Sequence, residues 1–272
     1  MKSLQADFFK VMKEGAIQYA APLPFLDLIC VGTATQTEVK EQIDLMYSLI
    51  HQQVDVIVLV PIDSKALVQP AVEAVRKGIP VINIDIQLDA QLLEQAGVEV
   101  AFVGPDNFAA AYEVGKLLDK KLRNEDKVAI IEGLTAADNA QQRKRGFIKA
   151  IEEKGLRLVA SEPVDWETEK AAEVFQAMWM RYPDLKAVYC SNDAMALGVL
   201  QQMQEKNCYL PVVGFDNDAV MKEFLSTGKL VATADIFSSQ MAVRGIEFAL
   251  DVLEGKIENR GVHSTAYEII KQ

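Results

Sequence analysis

Aspartate and asparagine recur in one kind of place along this chain. The stretch 187-AVYCSNDAMALGVL-200 begins as an apolar run and becomes polar and helical within one residue, at Asn192-Asp193. The same change occurs at Asp63, Asp85, Asp106-Asn107, Asp216-Asn217 and Asp235. Residues of this type can close a turn, cap a helix or contact a ligand. For any single Asp here, the turn or cap is the commoner use. The set shifts the balance towards a polar ligand site, provided that the fold gathers these positions at one edge.

Bond-breaking chemistry lacks its usual carriers. The chain has no GxGxxG, GxxxxGK[ST], GxSxG or HExxH motif. Its two histidines, His51 and His263, stand apart in polar surroundings. Cys30 and Cys190 fall in apolar runs and Cys208 in a loop, without CxxC or Cys-His spacing, so all three are expected as small hydrophobes. Carboxylate-only catalysis stays open, with nothing pointing to it. The expectation is a binding protein without cofactor or metal, not an enzyme.

Composition narrows the partners. Half of the 272 residues are hydrophobic and a quarter charged, as in a well-packed globular protein. The net charge is −11 with both signs interspersed, and the only dense basic cluster is 143-RKR-145. A nucleic-acid binder is expected to carry a basic stripe, so direct nucleic-acid binding is not expected. No apolar run approaches the ~20 residues of a membrane span. The opening MKSLQADFFKVMKEGA lacks an apolar signal core, so a secretion signal is absent or was removed.

The elements that must position the polar residues alternate. Apolar runs of four to eight residues predict strands over 26–32, 55–60, 80–85, 99–104, 127–133, 157–162, 186–191, 211–216 and 230–236. Helical periodicity fills the gaps, as in 65-KALVQPAVEAVRKG-78, where Gly78 closes a helix. Such alternation predicts parallel sheets covered by helices on both faces. Ligands of open α/β sheets bind outside the carboxyl ends of the strands, where the acids and amides stand.

The blocks 55-DVIVLVPIDSKALVQPAVEAVRKGIPVINIDIQLD-89, 106-DN-107, 132-EGLTAADNAQQRKRGF-147, 191-SNDAMALG-198, 212-VVGFDND-218 and 227-TGKLVAT-233 occur in that order. Together they resemble the periplasmic sugar-binding proteins of ABC transporters, the ribose- and galactose-binding type, from about Phe8 to the C-terminus. The effector cores of LacI-type repressors share the fold, but no helix-turn-helix headpiece is present and the GKLVAT turn is closer to the transport proteins. The resemblance implies two doubly wound parallel-sheet lobes joined by a three-segment hinge. They would comprise 1–104 plus 236–264, and 105–235 plus 265–272, with ligand held in the cleft between them.

Carried over by position, the implied ligand contacts are Phe8 or Phe9 stacking on a sugar face, Trp166 as a second platform, and Asp85 and Asp216 accepting from hydroxyls. Arg143 would donate a fork of N–H groups, although a surface helix charge is an equal reading. Asn192 would project into the cleft while Asp193 caps the following helix. Val60, Ile86 and Ile236 stand where polar residues are common, which suggests a ligand with a less hydroxylated edge; Asp63, Gln87 or Asp235 would compensate. The implied partners are a sugar or polyol and the membrane permease of an ABC importer. The protein would act as a monomer, in the periplasm or anchored by lipid. An extracytoplasmic sensor module and a repressor core are the alternatives. The family's first, central strand has no counterpart here, so a longer precursor, or another segment filling that position, is expected.

Overall fold

Apolar stretches that cannot stay in water form strands, and the amphipathic stretches between them cover the resulting sheets. The computed structural model describes residues 1–271 and divides into two compact units. The first comprises Met1–Pro105, Ala136–Asp138 and Phe237–Ala266; the second comprises Asp106–Thr135, Asn139–Ile236 and the chain from Tyr267 onward. No helix among the described residues is long and apolar enough to cross a membrane.

In the first unit the chain runs through α1 (Asp7–Ala20), α2 (Val39–His51), β1 (Ile57–Leu59), α3 (Val68–Arg76), β2 (Val81–Ile84), α4 (Ala90–Ala96) and β3 (Phe102–Pro105). Val58 pairs with Ile82, and Ile84 with Val103, in parallel register. α3 buries Val68, Ala71, Val72 and Ala74 on the side that meets the sheet. Gly78 follows it at φ 84, the left-handed conformation expected of a helix-closing glycine. Asp89 accepts from the backbone N–H of Leu92 at 2.9 Å and caps α4.

The second unit contains α5 (Asn107–Asp119), β4 (Lys127–Glu132), α6 (Asp138–Lys154), β5 (Arg157–Pro163), α7 (Thr168–Arg181), β6 (Leu185–Cys190), α8 (Asp193–Glu205), β7 (Val212–Val213), α9 (Met221–Ser226) and β8 (Leu230–Asp235). The chain then returns to the first unit with α10 (Ser238–Leu253) and β9 (Val262–Thr265), and ends in the second with β10 (Glu268–Lys271). The sheets are ordered β1-β2-β3-β9 and β10-β8-β7-β6-β4-β5. Helices pack closely where a residue has no side chain. A Cβ on Gly198 of α8 would lie 2.0 Å from the carbonyl oxygen of Thr168 on α7.

Three strand expectations change. Residues 26–32 join no sheet among the described residues, because apolar character supplies no ladder without a hydrogen-bonding neighbour. β9 and β10 were not anticipated; β9 is largely exposed and carries no apolar run to betray it. The second sheet is not wholly parallel either, since β10 runs antiparallel along β8, Glu268 opposite Asp235.

Candidate ligand-binding site

Arg143 is the centre of the polar strand ends in the second unit. α6 turns Asn139, Ala140, Arg143, Gly146, Phe147 and Ala150 inward at intervals of three and four, so Arg143 shares the buried side. It is 2 % exposed. Its Nε donates to Asn107 Oδ1 at 2.9 Å. Its Nη1 donates to the Ser191 carbonyl at 2.8 Å and meets Asp216 Oδ1 at 3.3 Å. The Phe215 ring centre lies 3.6 Å from its Cζ, and that of Trp166 5.7 Å away. A buried guanidinium is tolerable only when its N–H groups are paired, and a planar fork meets three acceptors in a way that an ammonium does not. The surface-charge reading of Arg143 is therefore set aside. Within the triplet, Lys144 pairs with Glu132 at 2.8 Å and Arg145 is exposed.

The roles of Asn192 and Asp193 differ from expectation. Asn192, extended at φ −154, is the residue whose side chain caps α8, accepting from the Met195 N–H at 2.9 Å. Asp193 is fully buried and ties neighbouring strand ends together instead. It accepts from the N–H groups of Phe215 and Asp218, each at 2.9 Å, and from Thr233 Oγ1 at 2.9 Å. Burial pushes its carboxyl well above the usual range and Asp218 adds to this, while the donated hydrogen bonds pull it down. Gly214 leaves room for it: a Cβ there would stand 2.0 Å from Asp193 Oδ1.

Positive-φ backbone gathers at the same strand ends. Asp216 has φ 111, Asn217 φ 56, Asp165 φ 56 and Trp166 φ 71. Non-glycine residues adopt such angles when their surroundings over-determine them, commonly at ligand sites. Asn217 donates from its amide to Asp235 Oδ2 at 2.9 Å. Trp166 is buried against Gly133, where a Cβ would come within 2.1 Å of the indole ring.

In the first unit Asp85 ends β2, 2 % exposed and at φ 64. The Ile86 N–H donates to the Ile84 carbonyl at 2.8 Å across it, closing a three-residue turn of strained sign. The Asn83 side chain braces this turn by donating to Ile86 O and accepting from Leu88 N–H, both at 2.7 Å. Phe8 and Phe9 lie on α1 with rings edge to face at 5.1 Å; Phe9 is buried and Phe8 half-buried. Val60, Ile86 and Ile236 are all buried.

The structure thus assembles Arg143, Trp166, Asp216 and Asp235, with Asn192 beside Ser191, in the second unit; Phe8, Phe9 and Asp85 belong to the first. Asn107, Phe215 and Thr233 were given no role from sequence. Asn107 stood in a visible polar strand end, whereas Phe215 looked like one more apolar strand residue. Among the described residues no group of three or more His, Cys, Asp or Glu is placed to hold a metal ion.

The family profile of a periplasmic binding protein domain matches residues 1–257. The chain belongs to that family. A D-ribose/D-allose-binding protein of Pseudomonas aeruginosa is 40% identical, over 99% of this chain and 86% of its own length. Among solved structures, an ABC transporter solute-binding protein from Burkholderia multivorans, whose unknown ligand is represented as alpha-D-erythrofuranose, has a TM-score of 0.96 at 39% identity. That match covers 100% of this chain and 97% of that one. A periplasmic solute-binding protein from Actinobacillus succinogenes 130z with bound D-allose has a TM-score of 0.91 at 31% identity, over 100% and 95% of the two chains. The α/β fold, with sheets that are parallel apart from β10, matches the solved structures of that family.

Proposed function

We propose that this periplasmic binding protein captures a monosaccharide and hands it to the membrane permease of an ABC importer, as a monomer without catalytic role. Its place of work would be the periplasm, free or lipid-anchored. The observation that carries this reading is the Arg143 guanidinium, braced by Asn107, Ser191 and Asp216 and flanked by the Phe215 and Trp166 rings at one sheet edge. Sugars present hydroxyl rims and C–H faces. Fixed N–H forks, carboxylates and aromatic faces suit both.

Asp85 and Asp216 would accept from hydroxyls, Asn192 would donate from the amide nitrogen its cap leaves over, and Trp166 with Phe8 or Phe9 would stack. Asp235, held by Asn217, would add an acceptor. Hydrogen bonds to charged groups contribute about 1.5–3 kcal/mol each. Four of them and the burial of aromatic faces would together have to exceed ordering and association costs by the ~8 kcal/mol of micromolar binding. The ribose and allose named for relatives make those two aldoses the first probes. Isothermal titration with ribose, allose, a 6-deoxy sugar and a polyol is the test, and no heat from any sugar sinks the proposal.

A further inference from the structure

Between β5 and α7 the chain has only the four residues 164-VDWE-167, and they form a turn of unusual sign. The Glu167 N–H donates to the Val164 carbonyl at 3.0 Å, and the two residues between, Asp165 and Trp166, stand at φ 56 and 71. Two successive positive φ angles mark the I′ turn, whose usual central pair is Asn-Gly or Asp-Gly. Aspartate suits the first of these places. A bulky aromatic at the second is an outlier, and such strain persists only where the surroundings over-determine it.

Three features hold this turn, all within the second unit. Val164 is fully buried, and its N–H donates at 3.1 Å to the carbonyl of Glu132, the last residue of β4. The Glu132 carboxylate is itself fixed by Ser161 Oγ of β5 at 2.5 Å and Lys144 Nζ of α6 at 2.8 Å. Asp165 pairs with Lys170 in the first turn of α7, which ties the turn to the helix it precedes. That hydrogen bond raises the Lys170 pKa, with burial opposing it.

The third feature is Gly133, which follows Glu132. A Cβ there would stand 2.1 Å from Trp166 Cη2 and 2.3 Å from both Cζ2 and Cζ3, so the far rim of the indole fills the space that any side chain would take. Gly133 is not at positive φ, so the position requires room rather than backbone freedom. The ring is therefore seated at its rim while its backbone is fixed by the turn. From that seat its centre lies 5.7 Å from Arg143 Cζ.

We infer that the 164–167 turn presets the Trp166 indole, with Gly133 as its seat and the Asp165–Lys170 pair as its latch, so that the ring is in place before a sugar arrives. For what Trp166 meets, the inference rests on the sugar reading. Gly133, Asp165 and Lys170 act through Trp166 and are positioning residues. A platform held in advance loses little side-chain freedom on binding, and affinity gains by the cost avoided. The backbone strain at Asp165 and Trp166 is what the native fold sustains to keep the ring there.

The test uses the full chain with Trp179→Phe as parent, which leaves Trp166 as the sole indole, since the chain has two tryptophans. Without sugar, Gly133→Ala and Lys170→Met should each raise acrylamide quenching of Trp166 fluorescence, and Lys170→Arg should restore the parent value. In titration with ribose or allose, Gly133→Ala should weaken affinity about tenfold or more, the scale of an overpacked contact. Lys170→Met should weaken it about two- to fivefold, as for an exposed ion pair. Once Trp166→Ala has removed the ring, Gly133→Ala should change affinity by less than about twofold. Equal quenching in the parent and both variants overturns the inference. So does an equal loss of affinity from Gly133→Ala with and without the indole, which would make the glycine a structural residue only. If Gly133→Ala does not fold, Lys170→Met and its rescue by arginine decide. A parent that binds no sugar sinks the sugar reading, and the quenching series then decides whether the turn presets the ring.

Discussion

At the scale of single residues, neighbours in sequence take unlike tasks. Asn192 uses its side-chain oxygen to cap α8, so only its amide nitrogen is left for a ligand. Asn192→Asp keeps the capping acceptor and loses that donor. Sugar affinity measured by titration should fall about tenfold, the worth of one hydrogen bond, with Tm nearly unchanged. Asp193 has the opposite balance, since three donors converge on a side chain that no solvent reaches. Asp193→Ala strands those donors and should cost about 3 kcal/mol or more in urea unfolding. If Asp193→Ala unfolds like the parent while Asn192→Asp loses several degrees of Tm, the two roles have been exchanged.

At the scale of elements, close approach and burial set the tolerances. α7 and α8 touch through backbone at Gly198, so a single methyl has nowhere to go. Gly198→Ala should destabilise by about 1–3 kcal/mol although alanine favours helices, because overpacking outweighs propensity. Thermal melts of the purified variant check this.

At the scale of the whole molecule, ligand and fold are linked by mass action. A sugar that binds only the native state, supplied at 100 times Kd, stabilises by about 2.7 kcal/mol. For a chain of this length that corresponds to a Tm rise of about 5 °C or more. Ribose or allose should give it and a sugar silent in titration should not, which differential scanning calorimetry can follow. With a net charge of −11, the surface as a whole favours solubility over contact with polyanions.

Much of the architecture was legible in the order of residues, because parallel strands buried on both faces must be apolar almost throughout and the helices between them must be amphipathic. Strand and helix alternation, the glycine that closes α3 and the polar residues after each strand follow from that rule, and so did the likeness to periplasmic binding proteins. What tertiary structure alone decided concerns partners far apart in the chain. Arg143 is fixed by residues 36, 48 and 73 positions away, so nothing within Arg143-Lys144-Arg145 separates the buried arginine from the exposed one. The choice between Asn192 and Asp193 turned on whether Thr233 and the backbone of Phe215 arrive beside the second of them. Residues 26–32 are apolar enough for a strand, yet a strand is a relation between two segments, and hydropathy describes only one.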